Sequence, residues 1–244
     1  MHAFDASPAG LDEDLARLDR ETADLITSVA GMTVGDLAEP SRCGGWTRAH
    51  VIAHLARNAD GLARLAGWAA TGVETAQYRS RQDRDFEIER DSRAPLDELR
   101  EDLAASAQRC RDAFARLGGE LASPRVRMLS GALICAHELP LRRVNEVVLH
   151  HFDLRTRWGL EDAAPRSLLG ALQESASRLA SHPDAPSMTL RSDEGEEYVI
   201  GRTPHEQDPV VVRGSRAGLV AWLARGVTTN VHAEAPLPQL PMWG

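Results

Sequence analysis

Two short segments, far apart in the sequence, place imidazole and carboxylate groups at helical spacing. His50 and His54 are four residues apart in the first segment, and Glu146 and His150 are four apart in the second. Residues four apart lie on one face of a helix, so Glu146 and His150 can direct an oxygen and a nitrogen to the same point. A histidine from the first segment would complete a set of two imidazoles and one carboxylate. Three protein ligands leave a fourth position open, which is typical of a catalytic zinc rather than a structural one.

The pattern of apolar residues predicts an α+β protein with two domains. The N-terminal domain, 1–160, contains four stretches in which apolar residues recur at helical spacing. These predicted helices cover 10–30, 47–71, 95–117 and 140–158. Thr47 is the expected N-cap of the second helix and Gly72 its end, and Gly118-Gly119 ends the third. A loop is expected over 31–45 and a charged stretch over 79–87, and the apolar face of the second helix is Val51, Ile52, Leu55, Leu62 and Leu65. Four helices of this length, joined by loops, favour an antiparallel four-helix bundle. His54 lies within the apolar face of the second helix, and facing helices of a bundle are where metal sites are built.

The C-terminal part, 161–244, has a different pattern and predicts a small α+β domain. The expected elements are a helix over 166–181, strands over 187–190, 197–200 and 209–212, and a helix over 215–225. The tail over 236–243 is too rich in proline for a helix, and we expect it to pack as an extended strap.

Charge and composition exclude several classes of partner. The chain has 244 residues, of which 43% are hydrophobic and 26% charged, as in ordinary globular proteins. Its formal net charge of -8 argues against nucleic acid. The sequence has neither an apolar run long enough to span a membrane nor the apolar core of a signal peptide. Three cysteines without C-x-x-C spacing indicate a reducing compartment, so we expect a cytoplasmic protein, and we expect it to be a monomer.

The second segment has an alternative interpretation as a solvated helix face with ion pairs. The polar residues at issue are Arg143, Glu146, His150, Asp153 and Arg157. Against that interpretation, the residues that surround Glu146 and His150 on the helix are apolar: Val144, Val147, Val148 and Leu149. At least part of this helix is therefore expected to be buried.

Single residues near the candidate site leave further alternatives. His50 lies one turn before His54 and competes with it as the ligand from the first segment. Asp153 is three residues after His150, close enough to orient its ring. Cys43 precedes a Gly-Gly turn, and the sequence fixes no basic group beside it, so an inert thiol is expected.

Further residues in these segments match a known family. They are Gly45–Arg48 with Ile52–His54, Trp68–Gly72 with Glu74, Thr75 and Tyr78, then Arg143, Glu146, His150, Asp153 and Leu154, and the ending Pro236–Trp243. With them the chain resembles the mycothiol-dependent maleylpyruvate isomerases, members of the DinB-like group of metal-binding bundles. The resemblance implies zinc as the metal and His54, Glu146 and His150 as its ligands, and it alone prefers His54 to His50. It also implies mycothiol, the low-molecular-weight thiol of actinobacteria, as cofactor.

The resemblance further implies a reaction and a substrate, a small dicarboxylate. The mycothiol thiolate, held on zinc, adds to the cis double bond of maleylpyruvate, the resulting single bond rotates, and elimination gives trans fumarylpyruvate. A cation is needed for the enolate and carboxylates, and Arg225 is the expected residue. The family has glycine before this arginine, whereas here Gly226 follows Arg225. An arginine that only caps the helix end is the alternative for Arg225.

Two other functions stay open at this point. A mycothiol S-transferase would use the same thiolate to attack an electrophile and would release the adduct. A non-catalytic protein would hold a structural metal, with His50 or Asp153 as a fourth ligand.

Overall fold

A computed structural model describes residues 10–201 and 209–241, except the side chain of residue 122. The chain divides into two compact units, Met1–Trp158 and Gly159–Gly244. The first is helical and the second combines helices with a sheet, which confirms the expected α+β class. The division lies close to the expected boundary after residue 160. That the units are independent domains stays a prediction.

The first unit is built from long helices around an apolar interior. Its helices are α1 (Leu11–Ala30), α2 (Val34–Leu37), α3 (Arg48–Thr71), α4 (Arg81–Asp91), α5 (Leu96–Phe114) and α6 (Leu139–Asp153). α1 and α3 each pack against both α5 and α6, and α4 packs against α3. The antiparallel four-helix order expected for this unit stays a prediction.

Helix α3 has the bounds that its end signals predict. Thr47 is its N-cap, and Gly72 ends it in the left-handed conformation with φ of 73°. Its predicted apolar face is buried, namely Val51, Ile52, Leu55, Leu62 and Leu65. Burial of this face fixes the rotation of the helix, so His54 is carried into the interior with it.

Helix α4 and helix α6 differ from the sequence-based expectation. α4 forms where only a charged stretch was expected, and Ser80 caps it by accepting a hydrogen bond from the backbone N–H of Asp83 at 3.0 Å. The expectation that the fourth predicted helix continues to Trp158 is wrong, because α6 ends at Asp153. Just beyond this end, Arg155 adopts a positive φ of 54°, which an α-helix cannot contain.

Smaller differences lie in the connections of the first unit. The third predicted helix, α5, ends at Phe114 rather than at the Gly118-Gly119 pair. A hairpin of two strands too short to be recognised, β1 (Arg125–Arg127) and β2 (Leu133–Cys135), precedes α6. The loop expected before α3 contains the single helical turn α2.

The second unit packs two helices together and contains a four-stranded sheet. Its elements are α7 (Pro165–Ala180), β3 (Met188–Ser192), β4 (Glu197–Ile200), β5 (Val210–Gly214), α8 (Arg216–Arg225) and β6 (Val231–Ala233). The strand order is β4-β3-β5-β6, with β3 and β5 parallel and the two outer pairs antiparallel. Within the described part of this unit, the strand β6 was not expected from the sequence.

The proline-rich tail has neither helix nor strand over 236–241, and Met242 to Gly244 lie outside the described residues. Among the described helices, none combines the length and the apolar character that crossing a membrane requires.

Candidate metal centre

Helices α3 and α6 bring together the three residues predicted as metal ligands. His54 Nε2 lies 3.1 Å from Glu146 Oε2, and His150 Nε2 lies 3.6 Å from the same oxygen. The two imidazole rings meet edge to face, with centroids 4.4 Å apart. One ligand atom from each residue lies within 4.8 Å of the other two. Two nitrogens and one oxygen therefore converge on one point, as the helical spacing of Glu146 and His150 indicates. That they bind a metal stays a prediction.

Access to this cluster is from the carboxylate side. The side chain of His54 is 5% exposed, and that of His150 14% exposed. Glu146 is 38% exposed. A cluster with two nearly buried imidazoles and a partly exposed carboxylate can accept an exchangeable ligand, which a closed structural zinc site cannot.

Asp153 orients one imidazole of the cluster. Its carboxylate is fully buried, and Oδ2 lies 2.8 Å from His150 Nδ1. With Nδ1 engaged in this way, the Nε2 edge of His150 is the one that faces Glu146. A carboxylate behind a histidine is the usual second partner of a metal-bound imidazole, because it fixes the ring and its tautomer.

Asn58 and Arg143 orient the carboxylate of the cluster, a role that the sequence analysis missed. Asn58 Nδ2 donates to Glu146 Oε2 at 3.2 Å, and the buried Arg143 donates from Nη1 to Asn58 Oδ1 at 2.8 Å. The sequence contains a signal for both residues, namely their spacing from the predicted ligands. Asn58 is four residues after His54, and Arg143 is three before Glu146, so each lies on the same helix face as a candidate ligand.

His50 is directed elsewhere, although it lies one turn before His54 on the same helix. Its Nδ1 is 2.7 Å from the hydroxyl of Thr47, where it helps to cap α3, and its Nε2 is 3.0 Å from Glu89 Oε2 of α4. Both ring nitrogens therefore have partners away from the cluster. The geometry favours His54 over His50 as the α3 member of the site.

The expectation that no basic group lies beside Cys43 is wrong. Its Sγ lies 3.8 Å from His150 Nδ1 and 3.1 Å from Asp153 Oδ2. The chain folds this way because the backbone N–H of Arg42 donates to the carbonyl oxygen of Asp153 at 3.0 Å. Since this contact joins residues more than a hundred positions apart, no local sequence pattern could reveal it. Cys43, His150 and Asp153 form a second group with the residue types of a metal site.

Burial and mutual contact shift the pKa values in the cluster apart. Burial, together with the charge of His150, lowers the pKa of His54 to about 4. Burial acts in the same direction on His150, but hydrogen bonds with Asp153 and Cys43 outweigh it and raise the pKa of His150 to about 10. Burial opposes ionisation of Glu146, yet its hydrogen bond with His54 and the nearby positive charges lower its pKa below the usual range. Glu146 is therefore a carboxylate, and His54 a neutral imidazole, at neutral pH.

The donor set fits a divalent metal such as zinc. Two imidazole nitrogens and one carboxylate oxygen are common ligands of catalytic zinc, and both histidines present the same nitrogen, Nε2, to the cluster. Asp153 behind His150 and Asn58 behind Glu146 supply the supporting hydrogen bonds that such sites use.

Arg225, the expected catalytic arginine, is the last residue of α8 in the second unit. Its Nη1 donates to the carbonyl oxygen of Ala224 at 2.7 Å. Gly226, in the left-handed conformation with φ of 67°, ends the helix. The role of Arg225 toward a substrate stays a prediction.

A helical unit that directs two imidazoles and a carboxylate to one partly open point defines a class of candidate metal-dependent enzyme. Residues 18–155 match the family described as "Mycothiol maleylpyruvate isomerase N-terminal domain". That range covers more than half of the chain, and the chain belongs to this family.

Comparison with solved structures extends the likeness to the whole chain. It is similar to a crystal structure of the mycothiol-dependent maleylpyruvate isomerase, with a TM-score of 0.90, 29% sequence identity and full coverage of both chains. A crystal structure of a histidine-to-alanine mutant of that enzyme matches with the same values. A comparison with curated protein sequences finds no significant match.

Proposed function

We propose that the protein is a zinc- and mycothiol-dependent isomerase that converts maleylpyruvate to fumarylpyruvate. The observation that carries this proposal is the convergence of His54, Glu146 and His150 on one partly open point. The family of the first unit and the full-length likeness to a mycothiol-dependent maleylpyruvate isomerase support the choice of reaction. The same likeness gives no support to the S-transferase alternative.

His54, Glu146 and His150 would hold the metal, with Asp153 and Asn58 keeping His150 and Glu146 in place. Zinc bound there would keep a coordinated thiol as its thiolate at neutral pH. No side chain then needs to be the nucleophile. The opening beside Glu146 is the approach that a thiol would use.

In the proposed reaction the sulfur of mycothiol adds to one carbon of the cis double bond, and the electron pair moves into the neighbouring carbonyl to give an enolate. The former double bond is now single and rotates. When the electron pair returns, it expels the thiolate and leaves the trans product, so no atom is gained or lost. A cation near the enolate and carboxylates lowers the barrier by charge stabilisation, and Arg225 remains our candidate.

The partners proposed are thus a small thiol and a small dicarboxylate. Binding of nucleic acid is not expected from the acidic composition. The monomeric state and the cytoplasmic location stay predictions of the sequence.

The experiment that tests the function follows the absorbance of maleylpyruvate with zinc-loaded protein, with and without mycothiol. We expect turnover that requires the thiol and that stops when a chelator removes the metal. Turnover without thiol would contradict the mechanism. Full zinc loading without any turnover would contradict the isomerase and favour the S-transferase.

A further inference from the structure

Arg84, on the unexpected helix α4, reaches the candidate metal centre. Its Nη2 lies 3.3 Å from His54 Nδ1, on the side of the ring opposite Glu146. The guanidinium also lies over the ring of Trp46, with Cζ 5.7 Å from the ring centroid. The side chain is 21% exposed, so it borders both the cluster and solvent.

The contact between Arg84 and His54 depends on which ring nitrogen carries the proton. Arginine only donates hydrogen bonds, so His54 Nδ1 must be the acceptor, and the proton must be on Nε2, where it points to Glu146. A metal ion at Nε2 uses the lone pair of that nitrogen. The neutral ring then carries its proton on Nδ1, and two donors face each other. The hydrogen bond from Arg84 cannot coexist with a metal ion on Nε2.

We propose that Arg84 binds a carboxylate of the substrate, and that metal binding at His54 frees its guanidinium to do so. The inference rests on the proposed function for the identity of the substrate as a small dicarboxylate. A guanidinium has the planar fork of donors that fits a carboxylate, and the ring of Trp46 keeps this one beside the site. A substrate carboxylate there would also accept a hydrogen bond from the Nδ1–H that His54 then presents.

The existing partner of Arg84 does not prevent this role. Arg84 Nη1 donates to Asp85 Oδ1 at 2.7 Å, but the side chain of Asp85 is 58% exposed. Ion pairs with an exposed partner contribute little, because water screens them and the side chains lose freedom. The pair also leaves Nη2, the atom next to His54, for another acceptor once the metal is bound.

The proposal makes metal and dicarboxylate binding mutually favourable. Such coupling is reciprocal, so a dicarboxylate should tighten the binding of zinc by the factor with which zinc tightens the dicarboxylate. The probe is maleate, a small dicarboxylate that shares with maleylpyruvate a carboxylate on a cis double bond. Zinc affinity is measured by competition with a coloured chelator, with and without maleate, and a titration without protein corrects for zinc bound by maleate itself.

For the unaltered protein we expect maleate to tighten zinc about ten- to hundredfold, the range for one hydrogen bond to a charged group. In Arg84→Gln the effect of maleate on zinc affinity should vanish. Zinc alone should bind at least as tightly as before, because the hydrogen bond from Arg84 to His54, which cannot coexist with a metal ion on Nε2, is gone. Arg84→Lys keeps the charge without the fork and should retain only part of the effect. Arg90→Gln is the matched control, because Arg90 is exposed on the same helix and pairs with Asp91. It should behave as the unaltered protein.

Thermal melting of each variant separates a folding defect from a binding defect. Equal tightening by maleate in Arg84→Gln and in the unaltered protein would overturn the assignment, and so would no tightening in the unaltered protein. The isomerase assay is independent of this result. Coupling that depends on Arg84 in a protein that does not convert maleylpyruvate would contradict the proposed function and leave Arg84 as a carboxylate-binding residue. Normal conversion with an unchanged KM in Arg84→Gln would overturn the role of Arg84 alone.

Discussion

Two carboxylates, one in each unit, have pKa values below the usual range, but their neighbours differ in kind. Glu196, in the second unit, accepts a hydrogen bond from Arg216 Nε at 2.9 Å and another from its Nη2. Ser192 also donates to it. In the first unit, the neighbours of Glu146 at the candidate centre are two imidazoles and an amide, those of His54, His150 and Asn58.

The difference decides what each carboxylate can do. The guanidinium of Arg216 neutralises Glu196 and has no lone pair to offer a metal ion. We therefore do not expect this ion pair to bind a metal. An imidazole can release its proton and present a lone pair, so the group around Glu146 can exchange a proton for a metal ion. In this protein the lowered pKa of Glu146 therefore goes with a set of possible metal ligands, whereas that of Glu196 goes with an ion pair.

Replacement of His54 by alanine should have the largest effect on zinc binding. His54→Ala removes one of the three proposed ligands, and we expect stoichiometric zinc binding to be lost while the fold is kept. Zinc content after dialysis measures the loss, and circular dichroism checks the fold. His50→Ala is the matched control and should keep its zinc, because His50 faces Thr47 and Glu89. The opposite pattern, with zinc lost only in His50→Ala, would show that the ligand assignment is wrong.

Loss of the charge behind His150 should have a smaller effect. Asp153→Asn keeps the shape of the side chain but removes its negative charge, and we expect zinc affinity to fall about ten- to hundredfold. Chelator competition measures the change. An affinity within error of the unaltered protein would show that the contact of 2.8 Å does not support the site.

The charged group of the second unit should affect stability alone. Glu196→Gln should lower the free energy of unfolding by about 1 kcal/mol at pH 7 and leave zinc affinity unchanged. The hydrogen bond with Arg216 lowers the pKa of Glu196 from 4.5 to about 2. The stabilisation is therefore complete at pH values above the pKa that Glu196 has in the unfolded chain. It is lost as the pH falls toward the lower pKa that Glu196 has in the folded protein. Urea unfolding at several pH values should show the two proteins converging under acid conditions, and a difference that grows as the pH falls would contradict this.

The smallest effect is expected at Cys43. A thiol is a weak hydrogen-bond donor, and serine can donate to Asp153 in its place, so Cys43→Ser should change zinc affinity less than about threefold. Chelator competition again provides the measurement. Loss of zinc in this variant would mean that the group of Cys43, His150 and Asp153 is the metal site instead.

Local patterns in the sequence were sufficient for the parts of the site that lie within one helix. Helical geometry places Glu146, His150 and Asp153, at their spacing of four and three residues, on one face of α6. Thr47 and Gly72 mark the ends of α3. Helical spacing does not distinguish His50 from His54, because the two lie one turn apart on the same face of one helix. The choice between them needed either the resemblance or the structure.

Contacts between elements could not be predicted in the same way. Helix α4 has only one buried residue, Ile88, so it lacks the apolar stripe by which a helix is recognised. Its serine cap at Ser80, with Asp83 three residues later, was the one signal available. The contact of Arg84 with His54 was missed because helix α4 was not predicted. The position of Cys43 was missed because it depends on packing against the end of α6.

X-ray absorption at the zinc edge of the loaded protein, before and after mycothiol is added, examines the proposed metal ligands and the binding of the thiol in one experiment. We expect only nitrogen and oxygen ligands before the addition, and one sulfur at about 2.3 Å when mycothiol binds. A sulfur ligand before mycothiol would place Cys43 on the metal. An unchanged spectrum after mycothiol would contradict the claim that His54, Glu146 and His150 hold a zinc ion that binds the thiol.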